Sequence, residues 1–432
     1  MNDSTHPLAA ASAEPLRPRA RDIHEQHRVA TPLELLFDLS FVVAIALAAA
    51  QLHHGVMAHH TGPALAGFVA AFIAIWWAWM NYTWFASAYD DDSAVFRLLT
   101  MLQMVGVLIF AAGVPGLFSG DFRAGVLGYA VMRLALVAQW LLAARGDPAC
   151  ARTCRRYALG ITLVQVLWIA RLWLPPEWVW PTFVLFMALE LAVPPWAERA
   201  RETPWHAHHI AERYGLLLII TLGEVVLGAT NAVAGMWQGF GWTLNLALVG
   251  LGSTMLAFAL WWMYFLLPSA DALHRHRERS YFWGYGHFFI FASAAAVGAG
   301  LEVVADVLKA GKAAAASTLA ETGHAAAVAT QAGQAATEAH GVSPLYAITM
   351  VALAQALFMV SLWFIYSRTT RAAASQGWLT LGCVAAVALG PLAVWLGAPL
   401  PWALLLLSLG PAIAIAYNEH GRRHRADAFS VN

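Results

Sequence analysis

A chain of 432 residues that is 60% hydrophobic and only 12% charged, with a mean hydropathy of +0.60, is not built like a soluble domain, where roughly a quarter of residues are charged. Its 25 basic and 25 acidic residues cancel, which argues against nucleic acid as a partner, and 3 cysteines cannot make a disulfide framework. The composition predicts an all-α polytopic membrane protein whose first partner is the lipid bilayer.

In chain order, residues 1–28 are polar, bear Pro and Arg, and have no apolar core, so they read as a disordered cytoplasmic tail and not a signal peptide. A membrane span needs about 20 apolar residues. That rule predicts twelve spans, near 33–53, 64–86, 95–117, 123–144, 156–174, 178–197, 212–231, 242–267, 282–307, 344–367, 378–397 and 400–418. Pro391 and Pro411 are expected to kink the last two. The stretch 309–341 is an Ala-rich insertion on the outer side, a weak surface helix or a loop, and carries no chemistry. Residues 421–432 form a basic cytoplasmic tail.

The basic residues check this count. With the N-terminus inside, 20 of the 25 fall in inner segments, while the outer segments hold Arg123, Arg171, Lys309 and Lys312. That asymmetry places both termini in the cytoplasm of a multi-pass cell (inner) membrane protein. Arg133 is left over, inside the fourth span.

Blocks recur between the halves. The first span, from Glu34, parallels the seventh, from Glu212; Trp76-Trp77 in the second parallels Trp261-Trp262 in the eighth; Tyr129 and Gln139 parallel Tyr346 and Gln355. Matching order predicts two six-helix halves, residues 29–208 and 209–420, in one orientation because six is even.

Three blocks, TPLELLFDLSFVVAIA, WWAWMNYTWFASAYDDD with Arg97 after it, and ERYGLLLIITLGEVVLG, resemble the signature blocks of the bacterial low temperature requirement protein A family. The resemblance runs from about Val29 through Glu302 and falls on Glu34, Phe37, Asp38, Trp77, Asp90, Arg97, Glu212, Arg213, Gly223, Glu224 and His287. It departs at Ser40, at Tyr89 and in the 309–341 insertion. It implies a bacterial membrane protein linked by name to growth in the cold, and no particular reaction.

The candidate site residues are intramembrane ionisable groups, which are costly unless they are partnered or used. Thr31-Pro32-Leu33-Glu34 reads as a capping box, which explains Glu34 without chemistry. Asp38 lies a turn deeper, with Arg97 or Arg213 as its structural partner. Glu224 lies about 18 Å beyond Glu212 by helical rise, beside Gly223 and Gly228. It is either a proton carrier or the partner of Arg133 in a buried ion pair. Asp38, Glu224, Glu34, Glu212 and His287 form the proposed proton or substrate site, where His287 either joins the first-span carboxylates in a relay or simply bonds a neighbouring helix. Asp90, Arg97 and Arg213 are assigned to a cytoplasmic gate or loop pairing, although Asp90-Asp91-Asp92 reads most simply as a solvated loop. Glu190 has no evident partner, and Glu302 and Asp306 sit near the outer end of their helix, in a vestibule or an interfacial cap.

The His clusters at 53–60 and 206–209 are irregularly spaced, so no metal and no cofactor is implied. No hydrolase or nucleotide-binding motif occurs, which argues against an enzyme. Two functions remain: a secondary, proton-coupled transporter of a small molecule or ion, or a non-transporting structural or sensory protein of cold and stress adaptation. An intramembrane enzyme acting on lipid ranks behind both. Oligomeric state is not encoded in these patterns.

Overall fold

Thr31 opens the first helix. Its hydroxyl accepts from the Glu34 backbone N–H at 3.3 Å, and the Glu34 carboxylate accepts from the Thr31 N–H at 2.8 Å, completing the capping box. The computed structural model describes residues 20–23, 25, 28–322, 341–370 and 375–430. These form α1 (Pro32–Met57), α2 (Thr61–Tyr89), α3 (Ala94–Ser119), α4 (Arg123–Gly146), α5 (Ala151–Ala170) and α6 (Val179–Glu198). There follow α7 (Ala207–Phe240), α8 (Leu244–Phe265), the short α9 (Ser269–Arg275), α10 (Ser280–Thr322), α11 (Pro344–Thr370), α12 (Ser375–Val387), α13 (Leu389–Trp395), α14 (Leu400–Leu407) and α15 (Leu409–Ser430).

Among the described residues there is no strand, and 11 helical segments are long and apolar enough to cross a bilayer. The predicted fifth span, α5, is the helix missing from that set: Arg152, Arg155 and Arg156 crowd its first turns and dilute its hydropathy. The fold is an all-α polytopic membrane protein.

The last two spans break where proline dictates. A proline cannot donate to the carbonyl four residues back and its ring clashes with that group. Pro391 and Pro411 therefore end α12 at Val387 and α14 at Leu407. The Leu407 carbonyl released in this way is satisfied by the buried Gln355 amide of α11 at 2.8 Å. The 309–341 insertion begins as a continuation of α10 to Thr322, and residues 323–340 lie outside the described residues.

The outward faces carry Leu98, Leu134, Val184, Phe258 and Leu353, all exposed, as lipid-facing helices require. Glu34, Asp38, Arg133, Glu190 and Arg213 are gathered inside, with Trp77, Trp79, Tyr82 and Tyr214 among the buried rings. α10 is the most enclosed span, with 83% of its apolar window buried. It packs on α7 so closely that a Cβ on Gly298 would lie 2.7 Å from the Glu224 carbonyl carbon, and one on Gly228 would lie 2.8 Å from the Gly298 oxygen. Gly223, next to Glu224, faces open space instead. α1 lies against α2, α3, α7 and α10, so its polar residues meet several helices at once.

Candidate functional site: a buried charge ladder between α1, α2 and α7

Glu34 and Asp38 stand four residues apart on α1, and His209 and Arg213 stand four residues apart on α7. Residues at that spacing share a helix face, so the two helices present complementary ladders. Arg213 Nη1 lies 2.9 Å from Glu34 Oε1, and its Nη2 donates to Asp38 Oδ1. His209 Nε2 lies 3.0 Å from Glu34 Oε1. α2 closes the third side: Trp79 Nε1 donates to Asp38 at 2.7 Å, and Tyr82 stacks on Phe37 with ring centroids 3.8 Å apart. Glu34, Asp38, His209 and Arg213 are all 0% exposed.

A second tier caps the ladder at the end of the bundle where α1 begins. Arg28, assigned to the tail by its sequence, is buried and lies 3.9 Å from Glu34 and 3.8 Å from Asp90. Arg21 of the same stretch donates to the Asp90 backbone carbonyl at 3.0 Å. Glu212 is half-buried and accepts from the Ala30 N–H at 3.2 Å. Arg28 and Glu212 also line an open cavity of about 870 Å³, together with His206, His208, Tyr264 and His274.

Asp90 departs from the solvated-loop expectation. Asp91 and Asp92 are exposed, but Asp90 is buried at the C-cap of α2. Burial, reinforced by the Glu34 charge, pushes its carboxyl up from 3.8 to about 6. The negative end of the α2 dipole acts in the same sense. The folded protein therefore keeps this proton to near pH 6, whereas an unfolded Asp90 releases it near 3.8. Stability falls as pH rises through that window, by about 2–3 kcal/mol in all. Asp90→Asn is expected to remove this dependence, so that the variant gains on wild type in thermal stability between pH 4 and pH 7.5. A melting-temperature difference that stays constant with pH would show that Asp90 titrates normally.

Several expected pairings are not made. Arg97 forms its ion pair with Asp92 at 2.6 Å, not with Asp90, because both lie exposed where the loop enters α3. Arg133 pairs with Glu190 of α6 at 2.9 Å, not with Glu224, and Trp77 Nε1 also donates to Glu190 at 2.8 Å. Arg133 and Glu190 lie 10 and 11 residues into helices that start on the same face, so they meet at equal depth. Glu224 is half-buried against α10, and no hydrogen bond or ion pair is made to it by the described residues. His287 is not in the relay. Its Nδ1–H donates to the Trp283 carbonyl at 2.7 Å, which leaves Nε2 to accept from the Tyr264 hydroxyl at 3.1 Å. Among the described residues only aromatic rings connect it to the ladder: Tyr214 and Phe291 each contact both Trp79 and His287. Glu302 and Asp306 cap the other face: His53 Nε2 reaches Asp306 at 2.9 Å, and Asn231 donates to Glu302 at 3.1 Å.

Together, fold and ladder define a polytopic helical membrane protein with an ion-pair network enclosed between its spans. The model of the bacterial low temperature requirement A protein (LtrA) family matches residues 29–414, and the chain belongs to that family. It is also similar to an uncharacterized protein of Rhizobium meliloti (strain 1021), 29% identical over 277 residues. That match covers 60% of this chain and 64% of the relative, so it spans less than two thirds of the curated protein. No solved structure matches.

Proposed function

We propose that this protein is a proton-coupled secondary transporter of the cell membrane, with both termini cytoplasmic, and that the charge ladder is its protonation site. One observation carries the reading: three buried carboxylates, Glu34, Asp38 and Asp90, face two buried guanidiniums, Arg28 and Arg213. With His209 neutral and the other five groups ionised, the cluster holds an uncompensated negative charge away from water, which is strongly unfavourable. One added proton neutralises it. Asp90, held up at about 6 just beyond the end of α2, is the group placed to exchange that proton with the open cavity through Arg28 and Glu212. Asp38, which the sequence offers beside Glu224 as a proton carrier, is instead held by Arg213 and Trp79.

Two parallel six-helix halves are part of this reading. The order of packing supports them: α1 lies on α2 and α3, α3 on α4, α4 on α5 and α5 on α6. In the second half α7 lies on α8 and α10, α10 on α11, α11 on α12 and α12 on α15. The ladder joins α1 to α7, the first helix of each half, where rocking of one half against the other would change its geometry.

In proteoliposomes with an imposed pH gradient, wild type is expected to move protons with its substrate, and Asp90→Asn to uncouple or abolish that movement while remaining folded. Unchanged proton movement in folded Asp90→Asn, Asp38→Asn and Glu224→Gln would sink the reading. It would favour the second one, a non-transporting membrane protein of stress adaptation locked by its charges, which draws support from the complete burial of Glu34, Asp38 and Arg213.

A further inference from the structure

Four arginines are more than nine-tenths buried among the described residues: Arg28, Arg133, Arg171 and Arg213. Three of them have a carboxylate within 4 Å. Arg171 has none. It follows the C-terminus of α5 in a short 3-10 turn and is 6% exposed. Its Nε donates to the Thr182 hydroxyl of α6 at 3.1 Å, and its guanidinium carbon stands 4.2 Å over the Phe122 ring. A guanidinium placed in this way has planar donors left for an anion and no protein anion to take them.

Arg171 lines a cavity of about 1070 Å³ at the end of the bundle opposite the charge ladder, between α2, α3, α4, α5 and α6. That is just above the roughly 300–1,000 Å³ usual for small-molecule pockets. The α2 wall is stepped back by Ala66, Ala70 and Ala74, and Phe110, Trp168 and Phe183 supply apolar surface opposite. At the rim Trp178 and Trp180 are 54% and 50% exposed, as aromatic residues are at a membrane interface. The other cation of the wall, Arg123, is already paired with Asp121 at 2.9 Å.

We infer that this cavity is a binding site for a phospholipid of the surrounding bilayer, with its phosphate on the free edge of the Arg171 guanidinium, which Thr182 holds in place, and an acyl chain along the alanine face of α2. Charge complementarity selects the head: phosphate is a planar guanidinium's natural partner, and it would serve Arg171 as a carboxylate serves the other three arginines. The apolar walls select a chain-bearing lipid over a free anion, and the interfacial tryptophans place the entrance at headgroup level. The inference stands apart from the transport reading and survives its failure.

The test is lipid retention by the full-length chain purified in detergent. Wild type is expected to carry phospholipid through purification and to be thermally stabilised by added dioleoyl phosphatidylglycerol. Arg171→Gln is expected to weaken that stabilisation at least tenfold in lipid concentration, and Arg171→Lys to weaken it less. Ala70→Phe, which keeps the guanidinium and fills the chain groove, is expected to lose retention as well. Inorganic phosphate at millimolar concentration should not displace the lipid. Retention unchanged in both Arg171→Gln and Ala70→Phe would overturn the site. Displacement by inorganic phosphate would overturn the lipid assignment and leave a free-anion site. If Arg171→Gln does not fold, Arg171→Lys and Ala70→Phe decide the matter alone.

Discussion

Arg213→Met is expected to be the most damaging single substitution in this protein. It leaves Glu34 and Asp38, both 0% exposed, without the cation that holds them. Removing one partner of a buried ion pair costs about 3–5 kcal/mol, a large part of the roughly 5–15 kcal/mol that usually separates folded from unfolded states. Glu34 keeps His209 at 3.0 Å and Arg28 at 3.9 Å, so the greater share of the loss falls on Asp38, whose only other partner is the Trp79 N–H. Asp38→Asn placed in the Arg213→Met background should therefore recover much of what was lost. Unfolding in mixed micelles measures both. A loss below about 1 kcal/mol for Arg213→Met would mean that the ladder is solvated and the proposed protonation site is not enclosed.

The second large effect belongs to Arg133 and Glu190, 2% and 1% exposed. Arg133→Met and Glu190→Leu should each cost about 3–5 kcal/mol, because each leaves an uncompensated buried charge, and the double substitution should cost far less than their sum. Arg133→Met with Glu224→Gln provides the contrast, since no contact joins those two residues. Their effects should add to within about 0.5 kcal/mol. Strong coupling to Glu224 and none to Glu190 would contradict the observed pairing.

These two cases show what kind of information the chain carries. The capping box at Thr31 and Glu34 was fully legible, because a cap is local and its partners lie three residues apart. The breaks before Pro391 and Pro411 were legible as kinks for the same reason. The pairing of Asp38 with Arg213 was one of two options left open, and its signal was present: Glu34 and Asp38 repeat the spacing of His209 and Arg213. The His209 position was instead weighed as part of a metal cluster, since ligand spacing and ladder spacing look alike in one dimension. The sequence offers Glu224 as one partner for Arg133 and the structure supplies Glu190, because depth along a helix can be counted from sequence but the direction a side chain faces cannot. Glu190 sits at the same depth in α6, and nothing in its sequence surroundings names its partner.

By itself the sequence determined the all-α membrane class and the approximate extent of most apolar spans, because hydrophobic thickness and local capping act on consecutive residues. It also singled out the ionisable groups that a bilayer interior makes conspicuous. Which acid meets which base was decided only in the tertiary structure, where α1, α2 and α7 come together and Arg28 is drawn in from a polar tail to cap them. The unpartnered Arg171 is of the same kind. A lone arginine after a helix is unremarkable in one dimension, and it becomes a site only where packing leaves a cavity beside it and no carboxylate within reach.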